Sequence, residues 1–158
     1  MLRIVVPITN ERIEDVRQLF REYWQWLRFD ACFDDFDSEL AELPGTYGPP
    51  AGCLLLAYDA SEPAGCVALR QIDNGVGEMK RLFVRPSRRG KRIGLELTRR
   101  IIEKARDRGY ERIRLDTLPI MKPAIALYES LGFEYIDNYR QNPAPGAKFM
   151  ELALRRKK

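Results

Sequence analysis

Residues 76–94, Val-Gly-Glu-Met-Lys-Arg-Leu-Phe-Val-Arg-Pro-Ser-Arg-Arg-Gly-Lys-Arg-Ile-Gly, gather the groups best suited to chemistry. The pattern predicts a buried strand, a sharp stop at Pro86, a basic glycine-containing turn and the first turn of a long helix. A loop that opens a helix leaves backbone N–H groups unpaired, with the positive end of the helix dipole behind them. That geometry binds phosphate. Arg85, Arg88, Arg89, Lys91 and Arg92 crowd the same turn. A glycine turn alone would say little, but the order strand, basic turn, helix supplies the context such a site needs. Histidine is absent from the chain. Ser-His and Cys-His catalytic pairs and imidazole-bearing zinc sites are therefore excluded, and proton transfer falls to carboxylates, tyrosine, lysine, cysteine or water. Cys32, Cys53 and Cys66 are odd in number and lack metal or redox spacing. They read as small buried hydrophobes in a reducing, cytoplasmic setting, and no metal is expected.

The elements that must position this stretch follow from periodicity and punctuation. Leu2 to Val6 reads as a short strand ended by Pro7, and Thr9 or Asn10 can cap a helix running to about Arg28. Ile13, Val16, Phe20, Tyr23 and Leu27 give that helix its apolar face, widened by Leu19, Trp24 and Trp26. The tryptophans read as core, with a pocket wall as the competing assignment. Phe33 to Leu43 reads as a short acidic helix stopped by Pro44, and Pro44 to Gly52 as a loop. Strands are expected at Cys53–Tyr58 and Gly65–Gln71, either side of an Asp-Ala-Ser-Glu-Pro turn. Asn74-Gly75 marks a hairpin into the strand Val76–Val84. The helix after the basic turn should run to about Arg108, stopped by Gly109. Arg112–Asp116 is a strand, Pro123 suits the first turn of a helix ending at Gly132, and Phe133–Ile136 and Phe149–Leu154 are the last strands. The sum is an α/β fold in one domain over residues 1–158, with a mixed sheet that is antiparallel first and partly parallel later.

Composition bounds the partners. The net charge is +4, yet from Phe29 to Leu69 there are eight acids and no Lys or Arg, so the cations concentrate elsewhere. Such asymmetry points to an anion site, for which a nucleotide-containing cofactor and a nucleic acid compete. Trp24, Trp26 and the acidic block lie far in sequence from the cations, and no nucleic-acid motif is present, so no nucleic-acid partner is expected. The basic tail from Arg155 to Lys158 reads as solvated. No stretch resembles a membrane span or a secretory leader, and no membrane partner is expected. Oligomeric state is not set by the sequence; a homodimer stays open.

Arg89-Gly90-Lys91-Arg92-Ile93-Gly94 resembles motif A of the GNAT superfamily, the acetyl-CoA-dependent N-acetyltransferases. Ala126-Leu127-Tyr128-Glu129-Ser130-Leu131-Gly132-Phe133 is similar to a second segment of that family, in the expected order and separation. The resemblance implies a central sheet with helices on both faces, its strand before motif A splayed from the next so that the pantetheine arm lies between. It implies acetyl-CoA as cosubstrate and a small-molecule or peptide amine as acceptor. Arg89, Gly90, Lys91, Arg92, Ile93 and Gly94 would hold the phosphates, and Leu82, Phe83 and Val84 would offer main-chain groups to the acetyl and pantetheine units. Arg92 stands where the pattern has its first glycine, so its side chain is expected to point away. Met121 stands where the family often has Asn.

Acetyl transfer to an amine needs an unprotonated amine, a donor for the oxygen that gains charge, and a proton for the departing thiolate. By resemblance Tyr128 is the acid. Glu78, on the strand entering motif A, is the candidate base, directly or through water, against the alternative of a cross-strand ion pair or an i,i+2 partner for Lys80. The acidic block from Asp30 to Glu42 would draw a cationic amine, or serve only as a solvated, capping face. A family member that binds acyl-CoA without turnover is the other assignment that Arg92 and Met121 keep open.

Overall fold

A computed structural model describes residues 1–27, 36–140 and 145–154 of the chain. Strands β1 (Leu2–Val5), β2 (Cys53–Asp59), β3 (Glu62–Asp73), β4 (Val76–Val84), β5 (Arg112–Thr117), β6 (Glu134–Ile136) and β7 (Lys148–Ala153) form one sheet. Their order is β1-β2-β3-β4-β5-β7-β6. Only the β4–β5 pair is parallel; the other neighbours run antiparallel. Helices α1 (Asn10–Leu27) and α2 (Phe36–Glu42) cover one face, and α3 (Ile93–Asp107) and α4 (Lys122–Ser130) belong to the other. The mixed α/β architecture read from the pattern is thus the one observed.

Two-residue alternation along the central strands builds both cores. Cys53, Leu55 and Ala57 of β2 and Val67 and Leu69 of β3 pack with Leu97, Ile101 and Ala105 of α3. Their neighbours Leu54, Leu56, Cys66 and Ala68 pack with Val16, Leu19 and Phe20 of α1. A strand buried on both faces reads as a continuous apolar run, as Cys53–Ala57 does. Cys53 and Cys66 are buried as expected, while Cys32 lies outside the described residues.

Punctuation set most boundaries. Thr9 caps α1, its Oγ1 accepting from the Arg12 N–H at 3.2 Å. The Asn74-Gly75 turn joins Asp73 to Val76, with Gly75 at φ +72°. Gly132, at φ +97°, ends α4, and the Phe133 N–H donates back to the Tyr128 carbonyl at 3.0 Å. Phe133 then packs on Tyr128, the hydrophobic contact that accompanies such a cap. Two expectations need correction. The β2–β3 turn is tighter than read: Ala60 and Ser61 both take positive φ, so Glu62 and Pro63 join the strand. In the loop Pro44–Gly52, Tyr47 is core, 2% exposed, with its ring edge-on to Phe20 and its hydroxyl donating to Glu39 at 3.0 Å. The acidic helix expected from Phe33 is described from Phe36 onward.

Candidate active site

β4 and β5 pair over Val76–Glu78 against Arg112–Arg114 and then separate. Beyond Glu78 the main chain of β4 faces the gap, and a cleft of about 620 Å³ opens there. Its walls include Met79 to Val84 of β4, Leu115 to Thr117 of β5, the start of α3, Tyr128 of α4, and Tyr23 and Trp26 of α1. The volume is that of a small-molecule or cofactor site.

A β-bulge shapes the β4 wall. Opposite Val67, β4 places two residues, Arg81 and Leu82, and Arg81 takes φ +60°. Lys80 and Arg81 are thereby set on the α2 face, where Arg81 donates to both oxygens of Glu39 at 2.9 and 2.8 Å. Leu82 packs on the α3 side. The Arg81 carbonyl accepts from the Cys66 thiol at 3.4 Å. Since the C=O and N–H of a trans peptide point in opposite directions, the Leu82 N–H is turned away from Cys66.

The turn after Pro86 forms one end of the cleft. The first bond of α3 runs from the Glu96 N–H to the Arg92 carbonyl at 3.1 Å, so the amides of Ile93, Gly94 and Leu95 have no acceptor within the helix. Gly90 takes φ +85° and Arg92 φ +63°, the left-handed region that turns the chain into the helix. A side chain at Gly94 would meet only Val84, at 3.7 Å, which leaves that main chain open to an approaching group. The five cations divide. Arg85 is held in a fork by Glu22, and Arg88 and Lys91 are held by Asp59 at 3.3 and 3.0 Å. Arg89 lies over the Trp26 ring, 5.0 Å from its centroid. Exposed Arg92 makes no side-chain hydrogen bond or ion pair among the described residues.

Tyr128 is 5% exposed and lines the middle of the cleft. Burial above all, with Tyr23 and Asp116 adding to it, pushes its hydroxyl well above the ordinary tyrosine range. It stays protonated, the state from which an acid must start.

At the other end lies a group of buried charges. Glu78 is fully buried; its Oε1 accepts from Arg70 Nε at 2.9 Å and lies 2.8 Å from Nη2 of the same guanidinium, and its Oε2 accepts from the Tyr139 hydroxyl at 2.7 Å. Burial alone would raise its carboxyl, but Lys80, Arg70 and Tyr139 outweigh burial and hold it below the usual range. The Lys80 ammonium is 3.9 Å from Glu78 Oε1. Burial, with Arg81 and Arg140 assisting, pulls Lys80 down to about 8 against the pull of Glu78 and Asp116. Arg140 donates to Asp116 Oδ2 at 3.0 Å. Lys80, Asp116 and Arg140 all line the cleft.

The model of the acetyltransferase (GNAT) family matches residues 13–133. This chain belongs to the GNAT family. An uncharacterized N-acetyltransferase of Schizosaccharomyces pombe is 40% identical over 144 residues, 90% of this chain and 88% of that protein. A GNAT-family acetyltransferase of Staphylococcus aureus shares the fold with a TM-score of 0.83 at 18% identity, over 98% of this chain and 100% of that one. A putative acetyltransferase of Salmonella typhimurium, solved with its cofactor acetyl-CoA, has a TM-score of 0.75 at 22% identity, over 98% and 94% of the two chains.

Within this GNAT domain the fold brings together most of the residues singled out from sequence. Leu82, Phe83, Val84, Arg89, Gly90, Arg92, Ile93, Gly94 and Tyr128 all line one cleft. Two do not. The Lys91 side chain turns to Asp59, and only its main chain stays with the turn. Glu78 lies off the cleft wall and opens instead on a smaller depression with Arg70 and Tyr139, because its cross-strand partner is Arg70. Trp26, read as core, is 40% exposed at the rim. Lys80, Asp116, Tyr139 and Arg140 were missed as site residues; a lysine inside an apolar strand was the one signal that could have flagged Lys80. Of the acidic block, Asp30, Asp34 and Asp35 lie outside the described residues. Glu39 is taken by Arg81, and Asp37 and Glu42 are exposed. Among the described residues no helix is long and apolar enough to cross a membrane.

Proposed function

We propose that this GNAT-family protein transfers an acetyl group from acetyl-CoA to a primary amine by direct attack, without an acyl-enzyme. The observation that carries the reading is the single cleft joining the amide-rich start of α3, the splayed main chain of β4 and the protonated, buried Tyr128. Bound acetyl-CoA would supply an acyl group activated as a thioester. Gly90, Ile93 and Gly94 fit its phosphates through main-chain amides, with Arg89 and Arg92 alongside and Lys91 contributing main chain only. Leu82, Phe83 and Val84 fit its pantetheine and acetyl groups, with the Leu82 N–H as donor to the oxygen that gains charge. Of the described residues, Cys53 and Cys66 are buried off the cleft wall, so neither is placed to carry an acyl group.

Tyr128 gives its proton to the departing sulfur. Glu78 acts as a positioning residue for Lys80 and Tyr139: it is buried, doubly engaged and less basic than a free glutamate. The amine gives its proton to water on entering a wall rich in cations, since like charge and dehydration both disfavour an ammonium. After attack, the surplus proton on nitrogen restores the one Tyr128 gives to sulfur.

Two measurements test this. Melts with saturating acetyl-CoA should show stabilisation of about 2.7 kcal/mol at a hundredfold excess over Kd, and Gly94→Asp should remove it by placing a carboxylate against the phosphates. Thiol release from acetyl-CoA across an amine panel should then reveal turnover. Absence of any melting shift at millimolar ligand would sink the reading.

A further inference from the structure

Lys80 is an unusual residue for a strand interior. It is 8% exposed, its ammonium makes no hydrogen bond to any described residue, and its nearest carboxylate oxygen, at 3.9 Å, already accepts from Arg70 Nε and is ion-paired with Arg70 Nη2. Among the described residues no buried side-chain nitrogen or oxygen lacks a partner, so the Lys80 ammonium, unbonded to protein, keeps contact with solvent through which a ligand group could reach its donors. The bulge places Lys80 on the same face as Arg81, and Lys80 lines the cleft.

The surrounding charges do not balance. Arg81 is matched by Glu39 and Arg114 by Glu151. Arg70, Lys80 and Arg140 share only Glu78 and Asp116, so one positive charge is left over among the described residues. Arg140 gives one nitrogen to Asp116 and faces the cleft. The surplus lies at Lys80 and Arg140, which line the cleft from β4 and from the segment after β6 rather than from the turn that would hold phosphates.

We infer that the acceptor is an amine carrying a carboxylate of its own, such as an α-amino acid, and that Lys80, flanked by Arg140, receives that carboxylate. The inference rests on the acetyl-transfer reading above and names its substrate class. A carboxylate there would close the open ammonium donors and cancel the surplus charge, while the amine on the adjacent carbon would lie toward Tyr128. Lys80 is thus a specificity-determining residue, and Glu78 and Arg70 hold it in place. The direction is opposite to what the acidic block suggested; of that block, Glu39 is paired with Arg81 and Asp37 and Glu42 are exposed, while Asp30, Asp34 and Asp35 lie outside the described residues.

The test compares α-amino acids (aspartate, glutamate, leucine, phenylalanine) with their amides, their decarboxylated amines and a diamine, following thiol release from acetyl-CoA. The best acid should exceed its own amide by about 10- to 100-fold in kcat/KM, the range of one charged hydrogen bond. Lys80→Met keeps the volume, and should remove that preference through KM while leaving the acetyl-CoA melting shift intact. Binding is read separately from turnover by melts in saturating CoA, where acids but not amides should raise Tm in the parent and not in Lys80→Met. Failure of the acetyl-CoA shift itself would count against the acetyl-transfer reading. With that shift present, preference for amide or diamine, absence of any acid-specific shift, or an acid preference that survives Lys80→Met would each overturn the present inference.

Discussion

At the α3 end of the cleft the groups offered to a ligand belong to the main chain, whereas at the Lys80 end they belong to side chains drawn from separate strands and a loop. Helix geometry guarantees free amides at Ile93 to Leu95 whatever side chains stand there. The cations nearby are mostly held elsewhere, Arg85 by Glu22 and Arg88 and Lys91 by Asp59. At the other end, β4 supplies Glu78 and Lys80, β3 Arg70, β5 Asp116, and the segment after β6 Tyr139 and Arg140. Backbone chemistry suits a ligand that is always the same; side-chain chemistry suits the variable partner. Tyr128 stands between the two, close enough to Asp116 and Tyr23 for both to weigh on its titration.

The largest effect should come from that junction. Tyr128→Phe removes the proton donor and keeps the ring against Phe133. It should lower kcat by about 10²- to 10⁴-fold, with the acetyl-CoA melting shift preserved. A loss of coenzyme binding instead would move Tyr128 to the main-chain end of the comparison.

Glu78→Gln tests the side-chain end next. It removes the carboxylate shared by Arg70, Lys80 and Tyr139, leaving buried cations uncompensated. Breaking a buried pair in this way costs about 3–5 kcal/mol, readable by urea unfolding. If Glu78 were the base as well, the low-pH limb of the kcat/KM profile would change beside the loss of stability.

How much of this was legible follows the same division. Local signals carried the first end: Pro86 stops a strand, a basic glycine turn follows, and apolar residues then recur at helical spacing. The two cores were legible too, since runs such as Cys53–Ala57 need only alternate. The Lys80 end was not, because its members come together through strand register and one bulge. Strict alternation would set Lys80 and Arg81 on opposite faces; the extra residue at φ +60° sets them on one. Tyr139 lies in a segment without periodicity, and its partner Glu78 is distant in sequence. Tyr47 is core within a Pro- and Gly-rich loop because Phe20 and Glu39, from two separate helices, close around it.

Lys80 also leaves a mark on stability. Its folded value is lowered from 10.5 to about 8, so below pH 8 both folded and unfolded chains carry the charge and the cost of burying it is fully present. Between about 8 and 10.5 the unfolded chain binds the proton more tightly, and stability rises with pH. The full gain is about 3 kcal/mol at 1.36 kcal/mol per unit. Lys80→Met should flatten that rise in pH-dependent unfolding. An unchanged slope would mean that the ammonium is better solvated than its burial implies, and would blur the contrast between the two ends.

The smallest effect probes whether the main-chain end is as indifferent to side chains as helix geometry suggests. Arg92 holds φ +63° at the start of α3, a conformation that costs a non-glycine residue about 1 kcal/mol. Arg92→Gly should therefore stabilise the chain in the absence of ligand, offset in part by glycine's greater freedom when unfolded. The same change deletes the cation of that turn whose side chain has no hydrogen-bond or ion-pair partner among the described residues. Were the amides sufficient, acetyl-CoA affinity would be unchanged or improved by closer approach of the phosphates. A weakening of several-fold that shrinks with added salt would instead assign Arg92 a direct part in holding the phosphates, since screening acts on the side-chain charge far more than on amide hydrogen bonds. Melts at two ionic strengths, with and without acetyl-CoA, separate the backbone gain from the charge loss within one variant.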